Sequence, residues 1–124
     1  MSHTISRRVN LEKHLRQAVA KDEFRVHYQP QFDTRTGEIA GMEALVRWMN
    51  PKKGLIYPDE FIPLAEETGL ILKIGRCVLK KACLQVSEWH KRGYRKCSVS
   101  VNVSSVQLHH EDFVNLIKET LKET

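Results

Sequence analysis

Glu43-Ala44-Leu45-Val46-Arg47-Trp48 sets a carboxylate and a guanidinium on either side of a leucine, each two residues from it. On a strand, the two-residue side-chain period turns Glu43, Leu45 and Arg47 to one face. Carboxylate oxygens suit a hard divalent cation, and a planar guanidinium suits a phosphate. The pair therefore points to metal-assisted chemistry on a phosphate ester, provided that face lines a pocket. A solvated ion pair is the commoner outcome of such a pattern taken alone. Two details favour the pocket. The opposite face (Met42, Ala44, Val46, Trp48) is apolar and needs helices over it. In α/β barrels, moreover, polar residues at the C-terminal ends of strands belong to the active site.

Asn102 is the second candidate. Alternation over Cys97–Val103 puts Cys97, Val99, Val101 and Val103 on one face and Ser98, Ser100 and Asn102 on the other, which predicts Asn102 inside a strand near its end. An amide oxygen there can act as a neutral metal ligand beside a carboxylate; a turn-forming asparagine is the structural alternative. Gln29 lies on the polar face of an earlier strand with His27, just before Pro30. It can bond a base edge or a phosphate, or simply satisfy a strand end. The histidines form no ligand pair beside a carboxylate, and there is no glycine-rich phosphate loop or nucleophile elbow. Phe61-Ile62-Pro63-Leu64-Ala65-Glu66 reads as packing, without chemistry of its own.

The elements that position these residues follow from periodicity. Asn10 is a candidate cap for a helix from Leu11 to about Lys21. Phe24 to Phe32 alternates as a strand, Asp33–Gly37 is a turn of hairpin length, and the next strand, about Glu38 to Trp48, should pair antiparallel with the first. Met49 to Pro58 reads as a loop. A short helix is predicted over Asp59–Glu67, with Pro63 in its first turn and Gly69 closing it. Ile71, Ile74, Val78, Ala82, Val86 and Trp89 define a long helix over about Leu70–His90, ended by Gly93. The Cys97–Val103 strand follows, then a last helix over about His110–Lys122 with acidic residues early and lysines late. The order indicates an α/β fold with a partly parallel sheet.

With 124 residues, 41% hydrophobic and 28% charged, the composition is that of one globular domain. Twenty basic against fifteen acidic residues gives a formal charge of +5. The excess is scattered in doublets, which argues against polymeric nucleic acid and remains compatible with a small anionic ligand. Cys77, Cys83 and Cys97 form no close pair, in keeping with buried thiols in a reducing compartment. Neither a membrane-spanning stretch nor a signal peptide is present, so no direct membrane insertion is expected and the default location is cytoplasmic. A membrane-tethered parent protein is compatible with this.

Tyr28-Gln29-Pro30, Glu43-Ala44-Leu45 with Val46-Arg47-Trp48, Pro58 to Glu66 and Asn102-Val103-Ser104 together resemble, in order and spacing, the EAL domain, a bacterial phosphodiesterase family specific for cyclic dimeric GMP. The resemblance implies a (β/α)8 TIM-like barrel whose first strand is antiparallel. It makes residues 1–10 an N-terminal tail and residues 11–124 the N-terminal half of the domain, truncated about midway, since such barrels need about 250 residues. It further implies Mg²⁺ or Mn²⁺ in the complete domain, activating a water that opens cyclic-di-GMP to linear pGpG. Glu43 then resembles a catalytic metal ligand, and Asn102 a metal ligand that also faces substrate. Arg47 resembles a phosphate contact, and Gln29 and Leu45 resemble parts of the dinucleotide pocket. The family's later carboxylates lie beyond Thr124. This chain alone is therefore expected to be inactive and to self-associate or swap elements. The competing expectation is a non-catalytic, degenerate module that binds cyclic-di-GMP or a protein partner.

Overall fold

Alternating apolar and polar residues build two long strands. In the computed structural model, which describes residues 3–124, β1 (Phe24–Phe32) pairs antiparallel with β2 (Ile39–Asn50). Asp33 closes the turn between them: its Oδ1 accepts from Arg35 N–H at 2.8 Å and its own N–H donates to the Glu38 carbonyl at 2.8 Å. The register sets Gln29 opposite Glu43, His27 opposite Leu45 and Arg25 opposite Arg47.

β2 runs past its expected end because the chain turns back onto it. Met49–Pro58 was expected to be all loop; Gly54–Ile56 instead forms β3, antiparallel to Trp48–Asn50. Asn50 Oδ1 accepts from Lys52 N–H (2.9 Å) and Lys53 N–H (3.0 Å), and Gly54 takes φ 77°, a tight return that needs glycine. Pro51 and Gly54 announce the turn, but the resumed pairing is carried by one buried residue, Ile56.

α2 (Pro58–Thr68) and α3 (Ile71–Lys91) follow the predicted stripes: Phe61, Leu64 and Ala65 are buried on the first, Ile71, Ile74, Val78 and Ala82 on the second. Pro63 sits in the second turn of α2, not the first, on an exposed face where the lost backbone bond is tolerated. α1 spans His3–Lys21, so Asn10 lies within it and caps nothing. Residues from His3 on in the expected tail are helical, while Met1 and Ser2 lie outside the described residues. Arg8 pairs with Glu67 of α2 on the exposed side of the two helices.

β4 (Val99–Val101) is shorter than the expected Cys97–Val103 and pairs parallel to β2, with Met42, Glu43 and Ala44 opposite Val99, Ser100 and Val101. Cys97 precedes it and Asn102 lies just past it, not inside it. The ladder stops because Ser104 is committed elsewhere. It caps α4 (Ser105–Leu108), accepting at Oγ from Val106 N–H (3.2 Å) while its own N–H donates to Gln107 Oε1 (3.1 Å). The single final helix expected over His110–Lys122 is accordingly α4 followed by α5 (Phe113–Glu123). His110 Nδ1 accepts from Asp112 N–H at 3.2 Å in the break, which leaves Glu111 and Asp112 ahead of α5 and not in its first turn.

Helices α1, α2 and α3 cover one face of the sheet. Phe24, Trp48 and Phe61 form its centre, with ring centroids 6.1, 5.8 and 5.7 Å apart, and Leu15, Ala18, Ile56 and Ile74 close around them. Each such large side chain contributes about 2–3 kcal/mol of apolar burial. Trp48 Nε1–H, which burial would otherwise orphan, donates to Glu23 Oε1 at 3.1 Å. The opposite face of the sheet carries the polar residues singled out above.

Candidate functional site

The antiparallel β1–β2 register and the parallel β2–β4 register give one parity to the sheet. Gln29, Glu43, Leu45, Arg47 and Ser100 fall on the face away from the helices, and one further two-residue step from Ser100 reaches Asn102. Gln29 is the direct cross-strand neighbour of Glu43, and Ser100 is the neighbour on the other side. Glu43, Leu45 and Arg47 are half-buried; Gln29 and Asn102 are exposed.

Arg47 is held before any ligand arrives. Its Nη1 donates to the Val46 carbonyl at 2.8 Å, and its guanidinium lies 5.2 Å from the centre of the Tyr57 ring. Beyond Ala44 and Val101, β2 and the chain after β4 diverge. A cavity of about 270 Å³ opens there, lined by Leu45, Arg47, Glu66, Asn102, Ser104 and Gln107 among others. Glu43 does not line it and sits below, on the sheet face. Larger clefts of about 910 and 850 Å³ lie elsewhere, along the β4 edge and around the α3–β4 loop.

Sequence reasoning missed three contributors. Glu66, read as packing, accepts at Oε2 from Ser104 Oγ–H at 2.8 Å. Gln107 is buried to 7% exposure and braces the loop after β4. Ser104-x-x-Gln107 is a capping-box pattern and could have located the second; nothing local announces Glu66 or Tyr57.

A hard cation fits the donor types that Glu43 and Asn102 supply, one carboxylate and one amide oxygen. Among the described residues, no three His, Cys, Asp or Glu side chains cluster as a metal site, so this pair is only part of a coordination shell. The cysteines offer no alternative nucleophile. All three are free, and burial pushes the Cys77 and Cys83 thiols up, away from thiolate.

A hairpin strand leading into a parallel strand pair with helices over one face defines a partial α/β-barrel type fold. The chain belongs to the EAL domain family, whose model matches residues 12–124. It is 39% identical to the bifunctional diguanylate cyclase/cyclic di-GMP phosphodiesterase MucR of Pseudomonas aeruginosa over 98% of this chain and 18% of that protein. It is 42% identical to the cyclic di-GMP phosphodiesterase PdeR of Escherichia coli over 91% of this chain and 17% of that one. The structure of the PaMucR phosphodiesterase in complex with c-di-GMP superposes with a TM-score of 0.88 at 40% identity, covering 92% of this chain and 46% of that chain. The expected partial TIM-like barrel with an antiparallel first strand is thus borne out. The chain spans under a fifth of these two curated relatives and about half of the solved phosphodiesterase.

Proposed function

We propose that this chain forms part of a domain that binds cyclic-di-GMP and hydrolyses it to linear pGpG, with residues 11–124 as the N-terminal half of that domain. One observation supports the reading: Glu43, Leu45 and Arg47 share the sheet face that the helices leave open, and Asn102 follows directly on β4, whose Ser100 pairs with Glu43. Glu43 and Asn102 would hold a divalent cation, Mg²⁺ or Mn²⁺. When bound, such an ion supplies Lewis acidity and a water deprotonated near neutral pH. Arg47, steadied by Tyr57 and the Val46 carbonyl, grips a phosphate oxygen, while Gln29 and Leu45 form the floor against the dinucleotide. Two oxygen donors leave most of a six-coordinate shell to water, substrate and further carboxylates, so turnover is assigned to the assembly that supplies those carboxylates. Among the described residues no helix is long and apolar enough to cross a membrane; a cytoplasmic site of action, where a nucleotide messenger is found, is part of the proposal.

The test is hydrolysis of cyclic-di-GMP by the complete domain that contains this chain, with Mn²⁺ and the product identified by chromatography, beside Glu43→Gln. Activity surviving Glu43→Gln would refute the ligand role. Tight binding without any hydrolysis by that complete domain would instead establish the second reading, a non-catalytic cyclic-di-GMP module.

A further inference from the structure

We propose that Glu66 is a positioning residue: acting through Ser104, it fixes the loop that carries Asn102 and so sets where the Asn102 amide oxygen meets a cation. The inference rests on the reading of Asn102 as a ligand. Asn102 is exposed and lies beyond the last paired residue of β4, so the ladder does not hold it. The bonds that fix its loop come from Ser104, two residues on.

Ser104 is tied to two helices, and through Gln107 to a third. Its Oγ–H donates to Glu66 Oε2 on α2 at 2.8 Å, while the same oxygen accepts from Val106 N–H on α4 at 3.2 Å. Its backbone N–H donates to Gln107 Oε1 at 3.1 Å. Gln107 in turn is wedged against α3 at Gly75, where a Cβ would stand 1.8 Å from Nε2. The cap and the wedge are local to α3 and α4. The Glu66 bond is the one that refers the loop to α2, the helix that follows Tyr57 and Arg47's stacking site. A carboxylate suits the task, because it can only accept and therefore orients the Ser104 hydroxyl so that its lone pair faces Val106. Glu66, Ser104 and Asn102 all line the cavity that closes on one side against Ile71, Ile74 and Val78 of α3, so the tie lies within one wall of that cavity.

The test uses the ¹⁵N-labelled chain, the Asn102 side-chain amide as reporter and the exposed Asn115 amide on α5 as control. Mn²⁺ should broaden Asn102 selectively. In Glu66→Ala, half-broadening should need about tenfold more Mn²⁺, the range typical when the partner of a metal ligand is lost. Val106 N–H should exchange about tenfold faster, as expected for loss of a bond to a charged group. Glu66→Gln, which still accepts from Ser104, should stay within about twofold on both measures. Ser104→Ala, which also removes the acceptor of Val106 N–H, should raise the Mn²⁺ requirement at Asn102 as Glu66→Ala does, and that measure alone decides the matter should Glu66→Ala fold poorly. A selective Mn²⁺ effect that neither alanine variant alters overturns the positioning role alone. No selective effect at Asn102 in the unsubstituted chain removes the ligand reading and the positioning role with it.

Discussion

Gln107 fills the space that any side chain at residue 75 would need: a Cβ on Gly75 would lie 1.8 Å from Gln107 Nε2 and 2.5 Å from its Cδ. A glycine in the middle of α3 is intrinsically unfavourable, and the structure shows what it makes room for. Gly75→Ala should therefore evict Gln107, break its bond to Ser104 N–H, and destabilise the protein by about 1–2 kcal/mol in urea titrations. In a Gln107→Ala background the same change should stabilise by about 0.5–1 kcal/mol, because only helix propensity remains. A cycle without this change of sign would mean that the two residues do not compete for the space.

Arg47 and Tyr57 make a graded prediction for ligand affinity. On the proposed function, Arg47→Ala would remove a phosphate fork and should weaken cyclic-di-GMP binding more than about tenfold, the scale of a hydrogen bond to a charged group. Arg47→Lys should recover only part of this, since an ammonium cannot present two parallel donors. Tyr57→Leu removes only the ring under the guanidinium, worth about 0.5–1 kcal/mol at an exposed site, and should weaken binding about two- to fivefold. Calorimetric titration of the ligand-binding protein checks the order. Equal losses for Tyr57→Leu and Arg47→Ala would show that Tyr57 touches the ligand itself.

Lys81 Nζ donates to Asp22 Oδ1 at 2.8 Å and to the Phe24 carbonyl at 2.6 Å, tying α3 to the entry of β1. The hydrogen bond from Lys81, the largest influence, holds the Asp22 carboxyl below its ordinary value, against partial desolvation. The folded protein therefore binds this proton more weakly than the unfolded chain. The stabilisation is complete above the unfolded value, near about pH 4, and is lost as pH falls through the lower folded value. Asp22 is 65% exposed, so the contribution should stay below about 1 kcal/mol. Asp22→Asn should flatten the acid limb of stability measured between about pH 5 and 2, with little change at neutral pH beyond the lost ion pair. An acid limb as steep as before would assign it to other carboxylates.

Parity was the legible part of this chain. The alternation of Phe24–Phe32 gave the bounds of β1, and the two-residue period placed Gln29, Glu43, Leu45 and Arg47 on the face the structure leaves open. The stripe from Ile71 to Ala82 likewise gave the buried side of α3. What escaped was set by contacts distant in sequence or by competing local bonds. β3 depends on Ile56 entering a core built by α1, α2 and β1. The extent of β4 depends on Ser104 preferring a helix cap to a ladder. Glu66 was unreadable as part of the site for the same reason, because its partner lies 38 residues away.

The edge of β4 that faces away from β2 has no partner among the described strands. Beside it runs the cleft of about 910 Å³, whose walls include Cys83, Val86, Val99, Val101 and Leu121. Unpaired strand backbone next to an apolar groove is a template for another strand and helix. A second copy of this chain can supply both, so the isolated chain is expected to associate at micromolar concentration, by pairing at β4 or by exchanging α5. Sedimentation velocity across a concentration series should show species larger than 14.4 kDa. Leu121→Lys puts a charge into the cleft from exposed α5 and should shift the distribution towards monomer while leaving the cavity beside Arg47 and Asn102 intact. A compact monomer at every concentration would show that the edge is protected by the short length of β4 itself, three residues being too few to nucleate a lasting pair.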